Sequence, residues 1–314
     1  MGRTGLSVGE EVGWKQGFSR GVLTRVGIRG HGAGMDVVVW QGNDGPVATP
    51  EVSRGVLSVC VLASGSSGNC TLVRGGGTSV LVDAGLSAKQ TRLRLAAVGA
   101  RLEEVKGIVV SHEHNDHIAG LKALHGSGAI PCYGNRGTVE GVSRMRCAEG
   151  IGWSMFATGS AFSIGEMTIE PFAVPHDAYE PVGFVFHAGG LKAGVMTDAG
   201  IITQLLVNRL SGCHVLVVEA NHDEGLLQEA ERPWSLKQRI RGRQGHLSNR
   251  DAAELVSAVA GPQLQRVYLA HLSEDCNRGH LAVREVREAL DRKGFGGVEV
   301  ELTYPDRVSA VWQG

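Results

Sequence analysis

Short blocks of apolar residues alternate with polar and glycine-containing segments from residue 55 to the C-terminus. Blocks that are rich in β-branched side chains and bounded by turn residues predict strands. The predicted strands are 57–62, 70–73, 79–82, 107–110, 131–133, 167–174, 183–186, 192–196, 215–219 and 267–270. Many short strands with helices between them indicate an α/β fold.

Helical spacing of apolar residues predicts helices in the same part of the chain. Gly99 is a candidate C-cap for the first of them, and Ser248 or Asn249 can cap the N-terminus of a later one, with Asp251 favourable in its first turn. The predicted helices are 88–98, 119–124, 203–210, 249–259 and 281–293. No tandem repeat interrupts this order, so we expect a single domain over residues 55–314.

The first 54 residues differ from the rest of the chain. They are rich in glycine, show no sustained periodicity, and carry Trp14, Phe18 and Trp40 without an evident apolar partner. Such a composition predicts an N-terminal extension over residues 1–54 that is disordered or loosely attached.

The composition is that of a globular protein, with 42% hydrophobic and 20% charged residues. The sequence contains neither an apolar run long enough for a membrane span nor the layout of a secretory signal. Its six cysteines are scattered without a CxxC pair, which favours buried thiols in a reducing cytoplasm over a disulfide framework. Because the formal net charge is only -1, any site for nucleic acid must come from local clustering of basic residues.

The segment His112-Glu113-His114-Asn115-Asp116-His117 directly follows a predicted strand. Extended residues two apart project to the same side, so His112 and His114 can share one metal ion. Asp116 and His117 come next, where a turn can direct them toward a second ion. Imidazole nitrogens and carboxylate oxygens are ligands for zinc and similar metals. A polar surface cluster without metal is the alternative interpretation.

Further candidate ligands come from elsewhere in the chain. His176, Asp198 and His271 each lie just past a predicted strand, and strand ends along one edge of a sheet converge in space. A carboxylate has two oxygens and can bridge two cations, which suits Asp198 to a central position. Asp83 and Glu219, at the ends of other strands, are candidates to orient the ligand imidazoles.

The order of elements and candidate ligands over residues 55–314 resembles the metallo-β-lactamase fold superfamily. This resemblance implies a four-layer αβ/βα sandwich with two divalent metal ions at one edge of its sheets. Zinc, manganese and iron all accept such nitrogen and oxygen ligands. By the same resemblance, the first ion takes His112, His114 and His176, the second takes Asp116, His117 and His271, and Asp198 bridges them.

Several short motifs look like the YycJ/WalJ branch of this superfamily. They are LASGSSGN at 62–69, EANHD at 219–223, PWSLK at 233–237, GHLSN at 245–249 and LAHLS at 269–273. The resemblance implies a cytoplasmic nuclease, a 5′-to-3′ exonuclease acting on duplex DNA, and a role in DNA repair. His246 and His271 also resemble the more distant RNase Z, although no long insertion like its tRNA-gripping arm is evident.

Two neighbouring cations suit phosphodiester hydrolysis, since they activate water and neutralise the phosphate. We expect a water-derived hydroxide to attack phosphorus while Asp116 orients it or handles its proton. His246 would stabilise the developing charge or protonate the leaving oxygen, which is also what the resemblance to RNase Z implies. A structural histidine at the start of a helix is the alternative for His246.

Candidate substrate contacts surround this site. The loop at 64–69 offers hydroxyls, an amide and backbone N–H groups that could cradle a phosphate, or it is an ordinary turn. His222 could touch substrate or support the ligands. The loop residues concerned are Ser64, Ser66, Ser67 and Asn69.

A basic cluster at 232–250 is a second candidate contact region. Bound phosphates favour clustered arginines and lysines, and the indole of Trp234 could stack on an exposed base. A solvated basic helix face is the equally weighted alternative. The basic residues are Arg232, Lys237, Arg239, Arg241, Arg243 and Arg250.

The predicted function is therefore a dinuclear-metal phosphodiesterase acting on nucleic acid, with DNA as the expected partner. The main rival is a small-molecule metallohydrolase of the same fold, acting on a thioester, lactam or cyclic phosphate. A non-enzymatic metal-bound scaffold is a third reading. The sequence identifies no protein partner and gives no reason to expect a membrane one.

Overall fold

The computed structural model describes residues 56–145 and 150–314, together with the backbone of two N-terminal strands. These strands, β1 (Thr24–His31) and β2 (Gly34–Gln41), pair antiparallel and belong to the smaller of two units, Met1–Glu51. The sequence analysis did not predict this hairpin. The other residues of the extension lie outside the described part, so its predicted disorder or loose attachment stays a prediction.

The larger unit, Val52–Gly314, is built on two seven-stranded mixed sheets. Its strands are β3 Ser58–Ala63, β4 Cys70–Gly75, β5 Thr78–Val82, β6 Val105–Val109, β7 Cys132–Gly134, β8 Trp153–Met155, β9 Phe162–Ile164, β10 Met167–Ala173, β11 Val182–Ala188, β12 Leu191–Met196, β13 Val215–Glu219, β14 Arg266–Ala270, β15 Glu299–Leu302 and β16 Trp312–Gln313. The first sheet has the order β16-β3-β4-β5-β6-β7-β8, and the second has the order β15-β14-β13-β12-β11-β10-β9.

Helices connect these strands. They are α1 Ala88–Ala97, α2 Asn115–Ile118, α3 Leu121–Gly128, α4 Arg136–Ser143, α5 Gln204–Leu210, α6 Glu224–Glu229, α7 Trp234–Ile240, α8 Asn249–Val259 and α9 Gly279–Arg292, with a 3-10 turn at Leu102–Glu104. Helix α8 has the predicted bounds, and Ser248 caps it in a capping box with Asp251. Among the described helices, none is both long and apolar enough to cross a membrane.

Apolar side chains form three buried layers. Val61 of the first sheet and Phe184 of the second belong to one cluster, which fills the space between the sheets. A second cluster packs α1 and α3 on the outer face of the first sheet, and a third packs α5, α8 and α9 on the outer face of the second. This order of helix, sheet, sheet and helix confirms the predicted four-layer αβ/βα sandwich.

The predicted helix 119–124 is the main error among the predicted elements. The structure has α2 before Ala119 and α3 from Leu121 to Gly128. Glycines at 126 and 128 disfavour a helix by intrinsic propensity, but burial of Leu121 and Leu124 against the first sheet outweighs that cost. Several short elements were not predicted, because they contain too few residues for a clear hydrophobic period. They are α4, α6, α7, β8, β9, β15 and β16.

The cysteines in the described part of the chain are free and buried, as predicted. Burial raises the pKa of the Cys60 thiol to about 11, so this thiol stays protonated and unreactive. The five residues concerned are Cys60, Cys70, Cys132, Cys213 and Cys276.

Candidate metal centre

The directions of the strands bring distant residues to one edge. Strands β5 to β8 run parallel in the first sheet, as do β12 to β15 in the second, so the carboxyl ends of each set meet at a shared edge. Strand β10 runs in the same direction as β12, because both are antiparallel to β11. The predicted ligand residues all follow the carboxyl ends of such strands.

One group of imidazoles combines the first motif with the second sheet. The potential ligand atoms of His112, His114 and His176 lie within 4.8 Å of one another. His176 Nε2 is 3.3 Å from His114 Nδ1, while its Nδ1 lies 3.0 Å from the carbonyl oxygen of Gly245. The Gly245 carbonyl accepts the Nδ1 proton of His176, so Nε2 keeps a free lone pair. This lone pair faces the other candidate ligands. We call the whole set the cage: His112, His114, Asp116, His117, His176, Asp198 and His271.

A second group lies beside the first. Asp116, His117 and His271 also bring potential ligand atoms within 4.8 Å, and His271 Nε2 is 3.3 Å from Asp116 Oδ2. Asp198 shares a group with His112 and His117, one residue from each set. This placement between the two groups is the one required of a bridging carboxylate.

Unpartnered buried atoms test whether a cation fits this cage. His112 Nε2 and Asp198 Oδ2 are both buried without a hydrogen-bond partner among the described residues. Asp198 Oδ2 instead faces His117 Nε2 at 3.2 Å, and His117 Nδ1 is already bonded to Asp83. Two lone pairs in such contact require a proton or a metal ion between them. The donor set therefore fits divalent metal ions.

The electrostatics of the cage also favour positive charge. Burial lowers the pKa of His117, but the carboxylates of Asp83 and Asp198 outweigh it and raise this pKa well above its ordinary value. Burial likewise lowers the pKa of His271, and Asp198 with other acceptors raises it to about 10. Burial and nearby His117 hold the pKa of His112 well below its usual range. A cation at the centre satisfies both the carboxylates and the free imidazole nitrogens.

Asp83 and a neighbouring serine position two of the imidazoles. Asp83 Oδ2 accepts from His117 Nδ1 at 2.8 Å, and Asp83 Oδ1 accepts from the Ser111 backbone N–H at 2.7 Å. The Ser111 hydroxyl lies 2.9 Å from Asp83 Oδ2 and 3.0 Å from His112 Nδ1. The sequence predicts Asp83 as a supporting residue but not Ser111, whose position directly before the first motif is its one signal.

Glu219 is fully buried beneath the second ligand group, and it contacts several surrounding residues. It accepts from the backbone N–H groups of Ala199 and Leu247, and its Oε1 lies 2.7 Å from His246 Nδ1 and 3.2 Å from His271 Nδ1. Burial lowers the pKa of His246, but the Glu219 carboxylate outweighs it and raises this pKa above its ordinary value. Glu219 thus fixes both rings and favours the protonated form of His246.

A cleft of about 450 Å³ opens over the cage and is lined by His246 and His271. Ser66 and Ser67, which were predicted to contact substrate, are exposed on its wall, and so is Arg239. Predicted substrate contacts therefore divide into those that reach the cleft and those that do not.

Ser64 and Asn69, from the same predicted loop, are buried beneath the cage. The Ser64 hydroxyl accepts the backbone N–H of His271 at 2.7 Å, and Asn69 Nδ2 donates to Asp116 Oδ2 at 3.1 Å. Both side chains are buried, and their hydrogen bonds hold candidate ligand residues in place.

Three other predicted substrate contacts do not line the cleft. His222 is buried, and burial lowers its pKa to about 4 despite the nearby Glu219 carboxylate, which raises it. Trp234 projects into solvent from α7 with 57% of its surface exposed. Lys237 donates to the carbonyl oxygen of Gln228 at 2.6 Å. The sequence did not predict several residues of the cleft, among them Asp177, Glu274 and Asp275, and none of these three lies in a motif that marks it.

Comparison with known proteins agrees with this geometry. Residues 78–272 match the family model described as Beta-lactamase superfamily domain. The chain is 37% identical over 246 residues to Exodeoxyribonuclease YycJ of Bacillus anthracis, which covers 76% of this chain and 91% of that protein. It is 33% identical over 252 residues to Exodeoxyribonuclease WalJ of Streptococcus pneumoniae, covering 78% and 94%.

More distant similarities have the same fold. Ribonuclease Z of Bradyrhizobium diazoefficiens is 28% identical over 132 residues, covering 37% of this chain and 43% of that protein. The crystal structure of the metallo-β-lactamase fold protein YhfI from Bacillus subtilis matches with a TM-score of 0.62 at 17% identity, over 82% of this chain and all of that one. The chain therefore belongs to the metallo-β-lactamase fold superfamily, in its YycJ/WalJ-like branch, and is a metal-dependent hydrolase.

Proposed function

We propose that this protein is a dinuclear-metal nuclease, a 5′-to-3′ exonuclease that hydrolyses phosphodiester bonds of DNA. The observation that carries the proposal is the identity of 33–37% to two exodeoxyribonucleases over more than nine-tenths of their length. The adjoining ligand groups around Asp198 support a pair of ions rather than one. When bound, two divalent ions would supply Lewis acidity for the phosphate and would lower the pKa of a bound water.

The chain's own residues then complete the site. Asp116 Oδ2 accepts from Asn69 and lies beside His271, so this carboxylate is fixed at the edge of the cage, where it can orient the attacking water. Protonated His246, held at Nδ1 by Glu219 and placed on the cleft wall, can donate a proton to the leaving oxygen. The serines of the 64–69 loop that face the cleft supply hydroxyls for a phosphate.

The test is a substrate panel with purified, metal-loaded protein. Duplex DNA carrying a 5′-phosphate, single-stranded DNA, RNA and bis(p-nitrophenyl) phosphate are compared, with separate labels at the 5′ and 3′ ends. We expect early release of the 5′ label from duplex DNA. His114→Ala should abolish turnover and reduce bound metal, whereas His280→Ala should change neither, because His280 is an exposed histidine outside the cage.

His246→Ala separates proton transfer from metal binding. We expect turnover to fall by about 100-fold or more while the metal content is retained. Full activity in this variant would remove His246 from the mechanism. Hydrolysis of bis(p-nitrophenyl) phosphate without cleavage of any polymer would replace the nuclease with a small-molecule hydrolase, and early loss of the 3′ label would reverse the polarity.

A further inference from the structure

Helix α7 forms one side of the cleft without being anchored in the core. None of its side chains is buried. Lys237 and Arg241 hold this segment through Gln228, one to its carbonyl oxygen and the other to its side-chain oxygen at 3.1 Å. The position of α7 is therefore set by polar contacts, which exchange more readily than packed apolar ones.

Arg239 of α7 and Arg232, which lies two residues before α7, both line the cleft. Each of them is paired with an aspartate that also lines the cleft. Arg239 Nε lies 2.6 Å from Asp177 Oδ2, and Arg232 Nη2 lies 2.5 Å from Asp275 Oδ2. Asp177 follows β10 and Asp275 follows β14, two strands that three others separate in the second sheet. The two ion pairs thus sit on opposite sides of the same cleft.

We propose that Asp177 and Asp275 occupy the arginine sites in the absence of substrate and that two phosphates of the substrate strand displace them. This inference rests on the proposed nuclease function and adds how the strand is gripped. Each aspartate is a competitive occupant of a phosphate site; Asp275 pairs with Arg232 alone, whereas Asp177 also has its Oδ1 at 3.4 Å from His176 Nε2, so the test uses Asp275.

Carboxylate and phosphate are interchangeable partners for a guanidinium group. Both present paired anionic oxygens to its planar set of donors. An ion pair near the surface is weak, and the Asp275 side chain is 70% exposed, so water readily solvates it once it is released. Arg232 is only 28% exposed and stays at the cleft wall to receive the next anion.

Two separate arginine sites favour a substrate that carries more than one phosphate. Arg232 lies before the N-terminus of α7 and Arg239 lies near its C-terminal end, so the two guanidinium groups form separate sites on the cleft wall. A compound with a single phosphate, such as bis(p-nitrophenyl) phosphate, cannot occupy both sites.

The test compares the two partners of one pair. Asp275→Asn frees Arg232 and should lower KM for a 5′-phosphorylated duplex by about threefold to tenfold, whereas Arg232→Ala should raise it by a similar factor. In the double variant the effect of Asp275→Asn should disappear, since no arginine remains to be freed. The ratio of KM for the duplex to KM for bis(p-nitrophenyl) phosphate should fall in Asp275→Asn.

Glu274→Gln is the matched control for charge. Glu274 lines the same cleft one residue earlier but forms no ion pair within the described residues, so its neutralisation should lower KM clearly less than Asp275→Asn. Equal effects of the two variants, or persistence of the Asp275→Asn effect without Arg232, would overturn the exchange in favour of general electrostatics. A rise of KM in Asp275→Asn would instead show that the ion pair between Asp275 and Arg232 holds the cleft wall in its binding conformation, which would also overturn the exchange.

These outcomes stay separate from those of the proposed function. A wild-type protein that degrades the duplex, together with an unchanged KM in Asp275→Asn, rejects the exchange alone. A wild-type protein that cleaves no nucleic acid rejects the nuclease, and the exchange with it. Arg232→Lys keeps the charge without the planar fork and should raise KM by less than Arg232→Ala.

Discussion

Three side chains of the cage sit on left-handed backbone, with φ of 63° at Asp83, 57° at Asp198 and 55° at His271. Such conformations cost a non-glycine residue about 1–3 kcal/mol each and persist where the surrounding structure requires them. All three residues follow strands and turn the chain sharply so that the side chain points into the cage. Local strain at this site is thus the consequence of placing ligands and their supports at strand ends.

Asp83→Asn tests how strongly one supporting carboxylate acts on the metal. The amide keeps the size of the side chain but removes the charge that faces His117 Nδ1 at 2.8 Å. We expect metal affinity to fall by roughly 10- to 100-fold, because the imidazole loses basicity and a fixed orientation. Competition titration against a metal chelator measures the metal affinity of the variant and of the wild type.

Asp306→Asn is the control for Asp83→Asn. Asp306 is an exposed aspartate that no described residue pairs with in an ion pair, and its substitution should leave metal affinity within about twofold of the wild type. Equal affinity in Asp83→Asn and the wild type would show that Ser111 and the remaining contacts suffice to hold His117.

At the level of elements, the turn after β5 lies directly against the turn that carries Asp116. Gly85 donates its N–H to the Asn69 carbonyl at 2.9 Å, and Asn69 donates its own to the Asp116 carbonyl at 2.7 Å. A Cβ on Gly85 would stand 1.8 Å from the oxygen of Asp116, closer than any real contact. Only glycine allows these three turns to meet under the second ligand group.

Gly85→Ala should therefore displace Asp116. We expect a loss of stability of about 2–4 kcal/mol and a weaker second metal site, because the backbone oxygen cannot move without its hydrogen bonds. Urea unfolding and metal analysis of the purified variant measure the two effects.

Gly126→Ala is the matched control, since its Cβ would meet no atom within 4 Å and Gly126 lies inside helix α3. This substitution should raise stability by up to about 1 kcal/mol through helix propensity. A Gly85→Ala protein with two metal ions and wild-type stability would contradict the close packing of these turns.

At the scale of the whole molecule, the cage joins the two halves of the sandwich. The first motif follows β6 of the first sheet, while the other ligands follow strands of the second. Each ligand group in the pairing by resemblance includes residues from both sheets. Bound ions would therefore cross-link the sheets as well as serve the chemistry.

Metal removal should lower the thermal stability of the protein. Ions that bind only the folded state at about 100 times their dissociation constant add about 2.7 kcal/mol per site. Differential scanning calorimetry of metal-loaded and chelator-treated protein should show a fall in Tm of several degrees. The shift should shrink in His114→Ala and persist in His280→Ala. An unchanged Tm in the wild type would mean that the cage is held without metal.

Local sequence patterns predicted most of the strands, the bounds of α8 and, through the spacing of the first motif, a candidate metal site after β6. These features depend on side chains near each other in sequence, so local periodicity carries them. The cage needs more, because His176, Asp198 and His271 meet the first motif only through the order and direction of strands in two sheets. Their positions just past predicted strands made these three residues candidate ligands, and the family resemblance implied how the candidates divide between two ions.

Only the tertiary structure decided which polar residues face the cleft and which lie beneath it. Ser64 and Ser66 stand two residues apart in one loop, yet the first is buried against His271 and the second is exposed. Asp275 lines the cleft beside Arg232, and its hydrogen-bonded ion pair with that arginine joins residues 43 positions apart in the sequence. Burial and long-range pairing depend on the packing of the whole sandwich, and no short stretch of sequence encodes them.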